Sequence, residues 1–255
     1  MRGWWQDFTD LVLPADCGGC GRARTALCEP CRRALCGAAP RRVSPLPAPS
    51  GLPVVHAAAP YADAVRAVLL AHKERGALVL AGALGEALAG AVRAGAQAYG
   101  GGGPLLLVPV PSARRATAAR GHDPVRRIAL AATRVLRRDG VPARVLPVLR
   151  QRRAVADQAG LDARRRLLNL TGALDVVPGR ERLLGEGRVV LVDDLMTTGA
   201  SLTEAARALR AVAPVQSAVC AAGAESGRRA GSDGMHRTQA AVVAASPDSF
   251  EINRN

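Results

Sequence analysis

Two stretches of this chain carry residue types whose spacing can do chemistry. The first runs Val189-Val190-Leu191-Val192-Asp193-Asp194-Leu195-Met196-Thr197-Thr198-Gly199-Ala200-Ser201. Four consecutive apolar residues read as a buried strand with two carboxylates at its C-terminal end. A loop of small, hydroxyl-bearing residues follows and opens a helix over 202–212. Backbone N–H groups at a helix N-terminus, with Thr and Ser hydroxyls around them, form an anion site that suits a phosphate monoester. Carboxylate oxygens are acceptors, so the paired acids suit vicinal hydroxyls, and they can also hold a hydrated Mg²⁺. In open α/β sheets ligands bind at the carboxyl ends of strands. A diol grip beside a phosphate grip matches ribose 5-phosphate. The plainer reading of the same residues is an Asp-Asp turn with a helix cap, which any α/β fold can show.

The second stretch is Cys17-Gly18-Gly19-Cys20-Gly21, followed by Cys28-Glu29-Pro30-Cys31. Two C-x2-C pairs across a short loop have the spacing of a tetrathiolate zinc site, because each turn aims two sulfurs at one tetrahedral centre. A redox pair of the thioredoxin kind needs one such turn after a strand, and here there are two and no strand. Cys36 lies just past this module and reads as a spare or buried thiol. Cys220 sits in an apolar run and reads as core. Trp4, Trp5, Phe8, Leu11 and Leu13 precede the cluster with rough helical spacing, as residues packing a small module against its neighbour would.

These residues need a scaffold. Residues 54–59 read as a strand, 62–72 and 77–97 as helices, and 105–110 as a buried parallel strand ending in Val108-Pro109-Val110-Pro111-Ser112. A helix over 124–138 and a strand over 143–149 follow. Strand, helix, strand in this order predicts an α/β domain with a parallel sheet. The Pro, Arg and Ser content of 37–53 reads as a linker. The expected division is a metal module at 1–36, the linker, an α/β domain at 54–225 and a tail at 226–255, where 240–245 could add a strand.

Composition narrows the function classes. With 255 residues and 49% hydrophobic content the chain can bury a core. Aromatic residues are 2%, too few for the base-stacking platforms of RNA readers. Net charge is +14, and Lys73 is the only lysine. Arginine in place of lysine, with much Ala, Gly and Pro, is what a GC-rich genome encodes. That bias explains the residue type and not the sign of the excess, which points to polyanionic or phosphorylated ligands. Between Ser112 and Arg166 fifteen arginines face four aspartates. A P-loop needs Gly-Lys-Ser/Thr and a serine-hydrolase elbow needs Gly-x-Ser-x-Gly; neither occurs. No secretory signal and no uninterrupted membrane-length apolar run is visible, so the expected compartment is the cytoplasm.

The string from Val189 to Ser201 resembles the signature of type I phosphoribosyltransferases, which bind phosphoribosyl pyrophosphate. With the four-cysteine module, Val108 to Pro111, Arg120-Gly121, and Gln158, Leu161, Arg165 and Asn169, the chain resembles the ComF family of competence-associated, phosphoribosyltransferase-like proteins. The resemblance implies a type I phosphoribosyltransferase fold with a small zinc-ribbon-like module. It implies that Asp193 and Asp194 meet the ribose hydroxyls and that Met196, Thr197, Thr198, Gly199, Ala200 and Ser201 form the loop around the 5-phosphate. Pro111, Ser112, Arg114 and Arg120 would lie on the pyrophosphate side. Arg150, Gln158, Arg165 and Asn169 would belong to a mobile loop over the site. Structural zinc and Mg²⁺ with the ligand are the implied cofactors. Where the family shows Arg-Gly-Phe-Asn-Gln, this chain has Arg120-Gly121-His122-Asp123-Pro124, and Met196 replaces an aromatic residue. No general base stands out.

Two functions follow from the resemblance. One is transfer of the phosphoribosyl group to an acceptor with loss of pyrophosphate. The other is a non-catalytic module that binds single-stranded DNA beside a helicase during DNA uptake.

Overall fold

A computed structural model describes residues 16–99, 102–112, 117–118, 120–153, 169–221 and 238–253, with the backbone alone at 99, 213–221 and 251–253. Eight strands are described: β1 Arg41–Val43, β2 Val54–Pro60, β3 Leu105–Pro109, β4 Ala143–Val145, β5 Leu149–Gln151, β6 Leu174–Val176, β7 Arg188–Met196 and β8 Gln239–Ala245. Five α-helices accompany them: α1 Glu29–Cys36, α2 Asp63–Glu74, α3 Ala81–Tyr99, α4 Pro124–Arg138 and α5 Ala200–Ala221.

β3 reads Leu-Leu-Leu-Val-Pro and β8 Gln-Ala-Ala-Val-Val-Ala-Ala, and every residue of both is buried. Strands without polar alternation need apolar cover on both faces, and parallel pairing with helical crossovers supplies it. The resulting six-stranded sheet has the order β1-β2-β8-β7-β3-β4, parallel except at the β1 edge. Side chains alternate between its faces. Leu105, Leu107, Val190 and Val192 join one core with Leu84, Leu88, Ile128 and Leu136 of α3 and α4, and Val65, Val68 and Leu69 of α2. Leu106, Val108 and Leu191 join another with Leu202, Ala205 and Leu209 of α5 and Leu149, Leu174 and Val176 of the small β5–β6 sheet. Each fully buried leucine contributes about 1.5–3 kcal/mol.

Three segments differ from expectation. Part of 37–53 is woven into the fold as well as connecting it: β1 pairs with β2, and the Ser44 N–H donates to the Ser249 carbonyl. Short apolar segments flanked by Pro and Arg look like linkers until a neighbour supplies the ladder. The strand expected within the tail at 240–245 is present as β8, but it lies inside the sheet, between β2 and β7. The α/β unit therefore extends through Ala245. Residues 143–149 divide into β4 and the start of β5 in two different sheets, with Pro147 at the break.

The apolar run Leu78–Ala98 is long and apolar enough to cross a membrane by length and composition, yet 61% of its most apolar stretch is buried inside the protein. That is the burial of a core helix, and α3 packs on α4, β2 and β8.

Candidate functional site

The four cysteines Cys17, Cys20, Cys28 and Cys31 converge, with all four sulfurs within 4.8 Å of one another. The Sγ atoms of Cys17 and Cys28 are 3.6 Å apart and those of Cys20 and Cys28 3.5 Å. A tetrahedron with metal–sulfur bonds of about 2.3 Å has edges of roughly 3.8 Å, so this donor set fits a thiophilic ion such as zinc. Three of the cysteines are buried and Cys20 is exposed. Burial opposes a thiolate at Cys17, but backbone N–H groups of Cys28, Cys20 and Gly19 outweigh it and bring the thiol down to about 6. The Cys28 N–H approaches the Cys17 sulfur at 3.3 Å. Burial pushes Cys31 up, and its neighbouring sulfurs push in the same direction. Cys36 stands apart and reaches the Ala83 carbonyl instead.

The cluster has little core of its own and leans on α2. A Cβ on Gly19 would stand 2.6 Å from the Cys31 sulfur and 3.4 Å from Val68 of α2, so only glycine admits the loop here. Ala64 of α2 also packs against the cysteines. Arg32 of α1 pairs with Glu86 of α3.

At the other end of α2 lies the second site. β3 and β7 run side by side in register, with Pro109 opposite Val192 and the Val110 N–H donating to the Val192 carbonyl. That register brings the turn at Pro111 and Ser112 to the sheet edge where Asp193 and Asp194 stand. Past them the backbone turns through Gly199, at φ +75°, into α5. A Cβ on Gly199 would stand 2.8 Å from Leu52, so the 5-phosphate loop of the sequence reading is backed by the segment before β2. Asp193, Leu195, Met196 and residues 197–202 line one small, open pocket. Met196 is buried and Thr197, Thr198 and Ser201 are partly exposed.

The two acids part company. Neighbours on a strand point to opposite faces. Asp193 lies opposite Val242, on the α5 side, and lines the pocket. Asp194 follows Val192 toward the α2 side, and its Oδ2 accepts from Lys73 Nζ at 2.8 Å. The Asp194 N–H donates to Asp193 Oδ1 at 2.8 Å. Burial, then the Asp194 charge, push the Asp193 carboxyl well above the usual carboxylate range, against the pull of Lys73. Burial works against the Lys73 ammonium, but the Asp194 charge and hydrogen bond hold it above its ordinary value.

Arg120 is held by Glu74, with Nε and one terminal nitrogen each 3.1 Å from a carboxylate oxygen. Its other terminal nitrogen is buried and unpartnered. His72 and His122 meet edge to face with ring centroids 5.9 Å apart. Thus the last turn of α2, His72-Lys73-Glu74, touches the acids, the Arg120 turn and His122 together. Sequence reasoning missed Lys73 and Glu74 as members of this site. A lone lysine in an arginine-rich chain was the available signal.

Arg150 lies on β5 and is exposed, and the Asn169 carbonyl accepts from Arg153 at 2.7 Å, which ties residue 153 to residue 169. Gln158, Leu161 and Arg165, together with Arg114, the Trp4–Leu13 stretch and the Cys220 side chain, lie outside what the structure describes. The β5–β6 pair is tied to α5 by Glu204, which accepts from the Leu174 N–H at 3.0 Å and pairs with Arg207 at 2.7 Å. Compared with protein families and with curated proteins, the chain matches none.

Proposed function

We propose that the pocket at the C-terminal end of β7 binds phosphoribosyl pyrophosphate with Mg²⁺, and that the protein is a ComF-like member of the type I phosphoribosyltransferase fold. The observation that carries this reading is the lining of one pocket by Asp193 together with the 197–201 loop at the head of α5. A phosphate ester seated on the loop N–H groups leaves a sugar within reach of a carboxylate. Asp193 binds on the pocket side, Asp194 supports the sugar end from behind it, and Arg120 supplies positive charge near the leaving group. Bound Mg²⁺ supplies further charge neutralisation for the departing pyrophosphate. The cysteine cluster holds structural zinc and fixes α2.

The test is pyrophosphate release from phosphoribosyl pyrophosphate with Mg²⁺ across purine and pyrimidine acceptors. Expected is release that disappears in Asp194→Asn, and calorimetric binding of phosphoribosyl pyrophosphate that disappears in Asp193→Asn. Binding that survives both substitutions would sink the proposal.

One observation favours the second reading, a DNA-uptake module. Arg126, Arg127 and Arg134 are exposed on α4, and phosphate backbones are bound by such cationic surfaces. Salt-sensitive retention of single-stranded DNA without turnover of any acceptor would select it.

A further inference from the structure

Lys73 is the only lysine among 35 basic residues, and it is the cation that meets the paired acids of β7 among the described residues. An arginine presents a planar fork suited to two oxygens at once. An ammonium is a compact point charge with rotatable donors that fits a single buried oxygen. In a chain that otherwise uses arginine throughout, a lysine here matches the geometry of its contact: one short bond, 2.8 Å, to one oxygen of a carboxylate whose side chain is 7% exposed.

The ammonium is itself held in place. Glu74, the next residue, is fixed by two hydrogen bonds from Arg120, and His72, the residue before, is buried against His122. Around Lys73 the charged groups are Asp194 and Asp193 from β7 and Arg120 from the turn before α4. A buried carboxylate next to a second carboxylate needs a counter-charge to stay in one orientation. Only Lys73 donates to Asp194 from another element among the described residues.

We propose that Lys73 is a positioning residue for the sugar end of this pocket: it fixes Asp194, whose N–H holds Asp193 Oδ1, and so orients the pocket-lining Asp193 carboxylate toward a vicinal diol, and it takes no part in holding the phosphate. The proposal rests on the sugar-phosphate reading and extends it to a residue on a different helix. The loop at 197–201 lies between β7 and the start of α5, whereas the bond from Lys73 goes to Asp194 on the strand before it. The two ends of the ligand therefore respond differently to the same substitution.

The experiment measures binding of three probes by calorimetry: inorganic phosphate, ribose 5-phosphate and 2-deoxyribose 5-phosphate. Wild-type protein is expected to prefer ribose 5-phosphate over the deoxy sugar. In Lys73→Met, ribose 5-phosphate binding falls at least tenfold and the preference over the deoxy sugar collapses toward one. Inorganic phosphate affinity stays within twofold, which also reports that the loop is folded. Lys73→Gln, which keeps most of the length and a donor, repeats the measurement at smaller amplitude. In the double-mutant cycle, adding Lys73→Met to Asp194→Asn causes no further loss, because both act on the same carboxylate.

Equal loss of all three probes in both Lys73 variants, unchanged sugar preference, or additive losses in the cycle each overturn the role of Lys73. Failure of the underlying reading looks different: wild-type protein then binds no probe, or binds phosphate and ribose 5-phosphate equally, and the proposal falls with it.

Discussion

The cysteine cluster and the β7 pocket are assembled in opposite ways. All four sulfurs come from fifteen consecutive residues, Cys17 to Cys31. Their convergence is a property of two tight turns and the start of α1. The pocket takes its acids and loop from β7 and α5, its supporting cations from Lys73 and Arg120, and its backing from Leu52. Those positions span nearly 150 residues of chain. A local site is legible as spacing and depends on its ion for rigidity. A distributed site is rigid before any ligand arrives, because the sheet holds its parts in register. The helix α2 joins them, with Ala64 and Val68 against the cluster and Lys73 at the acids.

The largest effect is expected at the local site. Cys28 has two sulfur neighbours within 3.6 Å, so Cys28→Ser should abolish metal binding. Loss of about 4 kcal/mol, roughly 8–16 °C in the thermal midpoint, should follow. Elemental analysis and calorimetry check it. Retained metal would remove the cluster from the comparison. If α2 transmits order from one site to the other, this variant also weakens ligand binding at the pocket.

Gly199→Ala breaks the comparison from the other side. The new Cβ meets Leu52 at 2.8 Å on a backbone with φ +75°. The conformational part alone costs about 1–2 kcal/mol. Inorganic phosphate affinity should fall tenfold or more while the metal content stays unchanged. If phosphate binding survives, the loop is not the anion site.

Glu204→Gln should cost about 1–2 kcal/mol, since it leaves the Arg207 guanidinium beside Leu174 without its counter-charge while keeping an acceptor for the Leu174 N–H. Urea unfolding measures it. Hydrogen exchange should quicken at 174–176 and not at the cysteines.

The smallest effect is a pH slope. Burial lowers the His72 imidazole below its usual value, and it does the same for His56. A group depressed in the folded state contributes stability that is complete above its unfolded value, about 6.5, and is lost as pH falls toward the folded one. The urea midpoint should therefore fall between pH 7 and pH 5.5. His72→Gln should remove part of that slope and leave the share due to His56. An unchanged slope would take His72 out of the account.

Much of the architecture could be read without coordinates. The unbroken apolar runs at 105–109 and 189–192 had to be strands covered on both sides, and the helix at 124–138 has Asp123 as its cap, bonding the Arg126 N–H at 3.1 Å. The last strand was harder. Four alanines and two valines after Gln239 look like a weak edge, but they lie between β2 and β7, where Ala side chains allow α3 to sit close. Nothing local to 239–245 encodes that place.

The amino-acid order alone determined which candidate groups stand side by side: two C-x2-C turns set sulfur against sulfur, and a strand running into Asp193, Asp194 and a Thr-Thr-Gly loop set acids beside the start of a helix. Those are short-range consequences of bond geometry and strand period. The tertiary structure decided the company they keep. It sent Asp193 and Asp194 to opposite faces, brought Lys73 across 121 positions to one of them, and laid Leu52 behind the loop. Such pairings follow from burial of the whole core, a property of the folded sum that no neighbouring residues express.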